Sequence, residues 1–424
     1  MSPRVAIIGG GIAGLGCARI LSKHMQVTLF ESESRAGGHA NTIEVNEDGK
    51  IVSIDTGFMV FNKTTYPNFY KLLCELETPI EPTDMSFSVQ HAPTQLEWSG
   101  TGIKRALAKK GNLFNLRFLK MVSGVAKFNR MCLAVLEQWQ RGERKLQTVE
   151  EATRSAGIGE ELLQFYVLPM MSSLWSATPD VVCKFPIILL AKFMHSHGLL
   201  SVYGKLDWYT VKGGSQTYVK KMIEPFAECV QLKSPVDSVF LQDNGVTLNI
   251  KGKESRFDLC IFACHADQAL RLLPLPLTSE RKLLSKFEYS DNLATLHCDQ
   301  SVMPKTKGNW ASWNYRIKAQ SGKLCSSTHY WMNSLQKLSS KQNYFVTLDQ
   351  NPDINPESIK AQINYTHPIF TTESIQAQDE LFRLNQCETN RLFFVGSYHG
   401  YGFHEDAYAS SVNLCQSILR RSIA

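Results

Sequence analysis

Apolar positions along this chain switch between two periods, and the first switch comes at once. Val5-Ala6-Ile7-Ile8 is an unbroken apolar run of strand length, rich in β-branched residues, and predicts a strand buried on both faces of a parallel sheet. Gly9-Gly10-Gly11-Ile12-Ala13-Gly14 follows, and over residues 15–25 the apolar positions fall at helical spacing. Val27-Thr28-Leu29-Phe30 is a second strand, ending on Glu31. Between residues 66 and about 200 the pattern predicts mostly helix, at 67–77, 113–140, 148–156 and 160–175, with Pro169 as a break or kink in the last. Strands then return at 230–232, 234–239 and 246–250, with a hairpin around Asp243-Asn244-Gly245. Residues 257–263, 293–298 and 344–348 read as further strands. Residues 391–397 read as a strand ending in a small-residue turn, followed by a helix through Ile418.

The opening unit carries chemistry. Gly9, Gly11 and Gly14 fit G-x-G-x-x-G between a strand and a helix, with Glu31 twenty residues beyond Gly11. Gly9 permits the turn, Gly11 lets backbone approach a pyrophosphate, and Gly14 brings helix close to strand. A pyrophosphate then meets the free N–H groups of the helix N-terminus, and Glu31 is placed to accept from a ribose hydroxyl. The spacing therefore implies a dinucleotide.

Composition narrows the setting. The 424 residues suffice for two domains with separate cores. The 43% hydrophobic and 20% charged fractions are those of a globular protein, which excludes a disordered or fibrous chain. Eleven cysteines are scattered without metal-type pairs; Cys260 and Cys264 fall in a buried-strand pattern and read as core thiols. His195 and His197 lie at i, i+2, on different helix faces, so no metal site is expected. Unpaired thiols in this number point to a reducing, cytoplasmic compartment. The first strand leaves no room for a signal peptide before it, and no apolar run reaches the ~18 residues of a membrane span.

Charge is unevenly spread. No acid lies between Glu97 and Glu137, while Lys104, Arg105, Lys109, Lys110, Arg117, Lys120, Lys127 and Arg130 do, outweighing the chain's net +6. Apolar residues such as Ile103, Leu107, Phe114, Leu116, Leu119 and Val122 interleave with them. A basic amphipathic segment over 103–130 can hold a protein peripherally at the inner, anionic membrane face, or can be a solvated surface. No nucleic-acid module accompanies it, so nucleic acid is not an expected partner.

Straight after Glu31, Arg35-Ala36-Gly37-Gly38-His39 resembles the R-x-G-G-R motif of the flavin amine oxidase and phytoene desaturase superfamily, with His39 in place of its second arginine. The resemblance implies an α/β fold: a Rossmann-like FAD-binding domain (1–60, 205–270 and 388–424) with an inserted α+β substrate domain of mixed sheet plus helices (61–204 and 271–387). It implies FAD as cofactor, held by Gly9, Gly11, Gly14, Glu31, Arg35, Gly37, Gly38, His39, Gly57, Phe58, Met59, Val236, Gly396, Ser397, Glu405, Asp406 and Ala407. Ser397 stands where the family usually has an acid. No cysteine lies between Phe394 and Leu414, so FAD is expected to be non-covalent.

The strings Asp55-Thr56-Gly57-Phe58-Met59-Val60-Phe61-Asn62, Asp84-Met85-Ser86-Phe87-Ser88, Trp310-Ala311-Ser312-Trp313-Asn314-Tyr315 and Gly400-Tyr401-Gly402-Phe403-His404-Glu405-Asp406 bear a closer likeness. They resemble bacterial NAD/FAD-binding oxidoreductases similar to the N-terminal flavin domain of plant cyclopropane fatty-acid synthases. That likeness implies a small-molecule or lipid substrate, fatty-acyl in class, and a methyltransferase partner. The expected reaction is dehydrogenation or desaturation, with hydride passing to flavin N5 and a proton to His404, oriented or replaced by Glu405. Met170, Met171, Leu174, Trp175, Phe185, Phe193 and Met194 are candidates for an apolar lining. Trp310, Trp313, Tyr315, Tyr330, Trp331 and Met332 fit a sheet that lines such a pocket or a packed sheet core, with Asn292, Asn314 and Asn333 as candidates for the pocket's polar end. Alternatives are a flavin amine oxidase, a redox-neutral flavin isomerase, and a non-catalytic flavoprotein serving an acyl-modifying methyltransferase. The amine reading is weakened because residues 291–297, matching the strand that carries a lysine in many amine oxidases, contain none.

Overall fold

Five parallel strands carry the glycine-rich unit, in the order Val230–Gln231, Gln26–Phe30, Arg4–Ile8, Leu259–Phe262 and Leu392–Phe394. The computed structural model describes residues 2–100, 112, 114–200, 206–275, 278–320, 323–348, 353–386 and 389–423. Alternate side chains of this sheet serve two cores. Val5, Ile7, Val27, Leu29, Ile261 and Phe393 pack on the first helix, Ile12–Leu21, and on parts of the helices Gln216–Ile223 and His404–Ile423. Ala6, Ile8, Phe30, Cys260, Phe262 and Phe394 face the antiparallel sheet Val236–Gln242, Gly245–Ile250, Lys253–Phe257 and the helix Thr372–Gln386. Burial on both faces explains why these strands read as continuous apolar runs.

A seven-stranded sheet forms the other half, ordered Ile359–Ile369, Glu288–His297, Phe345–Leu348, Lys323–Trp331, Trp313–Gln320, Phe87–His91 and Leu96–Ser99. Leu116–Gln140, Leu168–Trp175 and Ile187–Ser196 contribute to a helical layer whose core includes Val89, Trp98, Tyr315 and Ile317 of that sheet. Another core, with Met59, Ala294, Tyr330, Val346 and Tyr365, joins this sheet to the hairpin Thr42–Glu47, Lys50–Asp55. The α/β architecture of mixed sheets plus helices is the one expected.

Several local expectations are corrected. The stretch read as mostly helical contains the strands Ile80–Thr83, Phe87–His91 and Leu96–Ser99. Phe87–His91 pairs in parallel with Trp313–Gln320, a partner more than two hundred residues away, so local pattern could not reveal it. Residues 257–263 are two strands, because Asp258 exchanges bonds with Arg4 (its carboxylate accepts at 2.7 Å, its N–H donates at 2.8 Å) and ends one sheet as the next begins. The hairpin turn is Asp243-Asn244, with Gly245 already paired to Gln242.

The long helix starts at Leu116, where the Asn115 side chain accepts from the N–H groups of Arg117 (3.0 Å) and Phe118 (3.4 Å). Residues 101–111 and 113 of the basic stretch lie outside the described residues. Pro169 does not break the helical path from Glu160 to Trp175. A π-helical turn, Leu163–Val167, widens the backbone just before it and accommodates the ring. The first helix ends at Leu21, short of Met25, and the last runs on to Ile423. Among the described residues no helix is long and apolar enough to cross a membrane.

Candidate active site

Both glycine turns lean on each other. Gly37 N–H donates to Gly10 C=O (2.7 Å), and a Cβ on Gly38 would lie 3.1 Å from Gly11 Cα. Arg35 locks the second turn by donating to Gly38 C=O (2.8 Å) and Ala40 C=O (3.2 Å). Gly14 is needed for packing, since its Cβ would fall 1.9 Å from Gly9 C=O. Gly11 is different: a Cβ there meets nothing within 4 Å, so the space over the start of the first helix is open. Glu31 lines that space, with its carboxylate accepting from Gly10 N–H (2.6 Å) and Glu33 N–H (2.8 Å).

From this cradle runs one cleft of about 1130 Å³. That exceeds the ~300–1,000 Å³ of most small-molecule sites, leaving room for a dinucleotide and a substrate together. Gly9, Gly11, Glu31, Arg35, Gly37, Gly38, His39, Gly57, Phe58, Met59, Val236, Gly396, Ser397, His404 and Ala407 all line it. Gly14, Glu405 and Asp406 do not. Gly14 acts from behind, through its contact with Gly9.

Helix phase explains the other two. At 100° per residue, His404 and Ala407 (i, i+3) share the cleft face of the last helix and the two acids between them turn away. Glu405 accepts from Asn68 N–H (3.1 Å), Asn68 Nδ2 (2.7 Å) and Phe69 N–H (2.9 Å), at the start of the helix Pro67–Glu75. Asp406 ties the preceding turn by accepting from Tyr401 N–H (3.0 Å) and Phe403 N–H (2.8 Å), and burial pushes its carboxyl up to about 7.

His404 stacks on Phe58 with ring centroids 3.8 Å apart, and its Nε2 lies 2.7 Å from the Tyr218 hydroxyl. Burial first, then repulsion from His39, holds its imidazole down at about 3. It is therefore neutral at physiological pH, which removes one reason for expecting it as a general base, an ordinary histidine pKa. The expected pairing with Glu405 is absent, because both carboxylate oxygens are engaged elsewhere and His404 Nε2 meets Tyr218.

Of the apolar candidates, Leu174, Trp175 and Phe193 line the cleft, while Met170, Met171, Phe185 and Met194 are core. Asn292, Asn314 and Asn333 lie outside it, bonded to His367, to Ser88 and Ala311, and to Ser340 and Gln342. Of the expected aromatic cluster, Trp313 and Tyr330 line the cleft, while Trp310, Tyr315, Trp331 and Met332 do not. The wall also contains residues that sequence reasoning missed as site residues. Trp208 and Phe403 add aromatic surface to that of Trp313 and Tyr330, and Trp313 Nε1 is buried with no hydrogen-bond partner among the described residues. His197 stands between the rings of Phe193 (4.0 Å) and Trp208 (5.6 Å). His265, Arg271, Tyr365 and His367 line the cleft near His39. The only carboxylates among its described lining residues are Glu31 and Glu33, both beside the glycine cradle, and no lysine is among them.

Comparison with known proteins agrees with this geometry. The sequence profile described as flavin containing amine oxidoreductase matches residues 12–419. A carotenoid phi-ring synthase of Streptomyces griseus is 31% identical over 110 residues, 26% of this chain and 20% of that relative's length. Cyclohexylamine oxidase from Brevibacterium oxydans IH-35A superposes with a TM-score of 0.69 at 14% identity, over 99% of this chain and 100% of that one. Wild-type putrescine oxidase bound to putrescine does so at 0.68 and 12%, over 99% of both chains. A CLA-producing fatty acid isomerase from P. acnes does so at 0.65 and 13%, over 98% of both. These superpositions speak for the fold.

Proposed function

This chain belongs to the flavin containing amine oxidoreductase family, and from that premise we propose that it is an FAD-dependent oxidoreductase that dehydrogenates an apolar, fatty-acyl substrate. FAD and the oxidoreductase class come with the family; the substrate is our reading of the wall. The cleft fits the cofactor, because the open ground at Gly11 adjoins a helix N-terminus and Phe58, Met59 and His404 stand further along. Bound FAD supplies the hydride acceptor.

One observation carries the substrate class. Beyond the glycine cradle the wall is Met59, Leu174, Trp175, Phe193, Trp208, Trp313 and Tyr330, with no carboxylate or lysine among its described residues. An ammonium substrate entering this region would lose water with no ionic partner, a cost of several kcal/mol that aromatic faces only partly offset. An alkyl chain would gain ~0.8 kcal/mol for each methylene buried. Aromatic packing fixes the chain and excludes water, while the Tyr218 and His404 pair holds a proton between Oη and Nε2. The exposed side of the long helix suits delivery from a bilayer. Leu116, Leu119 and Val122 are exposed there beside Arg117 and Lys120, an apolar row flanked by positive charge.

The test is anaerobic incubation of the holoenzyme with phospholipid and free fatty acyl extracts, with flavin absorbance and lipid masses followed together. Loss of two hydrogens from an acyl chain with bleaching of the flavin is the expected outcome. Isomerised lipid of unchanged mass would make the protein an isomerase, and bleaching by amines alone would make it an amine oxidase.

A further inference from the structure

Three imidazoles from three separate segments meet at the opening of the first helix. His39 follows the second glycine turn, His265 precedes the helix Ala266–Leu272, and His367 lies on the strand Ile359–Ile369. Ring centroids are 5.2 Å apart for His39 and His367, and 5.9 Å for His39 and His265. All three line the cleft. Their neighbours fix where they are: Gly38 abuts Gly11, and Cys264 abuts Gly9, with its N–H 3.0 Å from where a Gly9 Cβ would be. The cluster thus borders the open ground over Gly11.

Each ring is held in place. His265 Nδ1 lies 2.9 Å from Thr366 Oγ1, and the ring stacks on Tyr289 (4.7 Å). His367 Nδ1 accepts from Asn292 Nδ2 (3.1 Å), which puts its proton on Nε2, and that atom has no protein hydrogen-bond partner among the described residues. His39 stacks on Tyr365 (4.9 Å), whose hydroxyl is bonded to Asn41 (2.9 Å) and Thr56 (2.8 Å). The other charged or titratable groups around the three are Glu31, Arg35, Arg271 with its partner Asp267 (2.9 Å), Cys264, Tyr289, Tyr365 and His404. Asp267 is paired with Arg271 and the Glu31 carboxylate with backbone N–H groups, so no carboxylate among the described residues forms an ion pair with the three rings.

We propose that His39, His265 and His367 receive the diphosphate of FAD, and that binding takes up protons from solvent onto these imidazoles. Burial and then mutual repulsion hold His39, His265 and His367 down at about 3, 4 and 3, so all are neutral at pH 7. A diphosphate beside them favours the charged form and becomes the counter-charge they lack. The only bonds formed are N–H bonds, and the co-reactant is the solvent proton. The sign follows: raised pKa values in the complex make affinity greatest at low pH and weaken it as pH rises through those values, by up to ~10-fold per pH unit for each proton. The inference rests on FAD as cofactor and is independent of the substrate.

Calorimetric titration of the flavin-free full chain in two buffers of different ionisation enthalpy, from pH 5.5 to 8.5, tests it. Net proton uptake with FAD and with ADP, but none with adenosine, is expected. His39→Gln should reduce the uptake. His39→Arg, a permanent cation, should bind FAD with a flatter pH dependence, and circular dichroism will show whether each variant is folded. Identical heats in both buffers, equal uptake with adenosine, or an unchanged pH slope in folded His39→Arg would overturn the proposal.

Discussion

The two ends of the cleft are built from different materials. At the cradle, backbone meets backbone: Gly37 N–H on Gly10 C=O, Gly38 against Gly11, Gly14 against Gly9. At the far end, side chains from separate segments converge, among them Phe58, Trp175, Phe193, Trp208, Trp313 and Phe403. Backbone contacts cannot be resized, because at Gly9, Gly14 and Gly37 a single added methyl group has nowhere to go. Aromatic walls can be resized, because truncating one leaves the elements that carry it in place. The first end is therefore suited to a constant ligand, and the second to a substrate that differs between relatives of one fold.

The hardest way to break this contrast is also its sharpest test. Gly14→Ala would push a Cβ to 1.9 Å from Gly9 C=O, so the expected loss exceeds ~4 kcal/mol and removes both the thermal transition and FAD binding. Gly11→Ala, three residues earlier, meets nothing within 4 Å and sits at φ −72°, which alanine adopts freely. It should melt near the native temperature and yet bind FAD at least ~10-fold more weakly, a cost of ~1.4 kcal/mol. Thermal melts and flavin fluorescence separate the two. Native affinity in Gly11→Ala would mean that no ligand group approaches there.

At the aromatic end the expected effects are smaller and of another kind. Trp313→Ala or Trp208→Ala should leave FAD binding unchanged and lower kcat/KM by ~10- to 100-fold, as lost burial of one large side chain is worth ~1.5–3 kcal/mol. A loss of FAD with either tryptophan would erase the division between the two ends. His404→Gln belongs next, with turnover falling ~10-fold while FAD is retained. Because His404 is held at about 3, no ionisation of that imidazole should shape the rate between pH 5 and 8 in the native enzyme. A step in the native profile that disappears in His404→Gln would show that substrate binding restores its basicity.

The cradle was legible in the sequence because its contacts are local. Gly9 to Glu31 lie on one strand–helix–strand unit, and the Arg35-Ala36-Gly37-Gly38-His39 turn comes directly after. The aromatic wall was legible only in fragments. Leu174, Trp175 and Phe193 share a helical pattern with Met170, Phe185 and Met194, and only tertiary packing decides which of them reach the cleft. His367 gave no local signal, since its site arises from a strand paired with Glu288–His297 some seventy residues away. Glu405 and Asp406 show a different gap. Their motif was recognisable, but their faces depend on the phase of a helix whose first residue is His404.

Glu405 yields the mildest prediction and a clean one. Its carboxylate lies on the N–H groups of Asn68 and Phe69, where the first turn of Pro67–Glu75 leaves donors unsatisfied and the helix dipole favours negative charge. Glu405→Gln keeps one acceptor oxygen and loses the charge, so the expected cost is ~1 kcal/mol, read as a fall of a few degrees in Tm. FAD affinity and turnover should stay within about twofold, because none of the atoms that Glu405 engages belongs to a cleft-lining residue. The comparison with His404→Gln is then direct: adjacent residues on one helix, one expected to change rate without stability and the other stability without rate. If Glu405→Gln instead abolished turnover at an unchanged Tm, its carboxylate would have to turn into the cleft in the working enzyme, and the division of the helix into a cleft face and a capping face would fail.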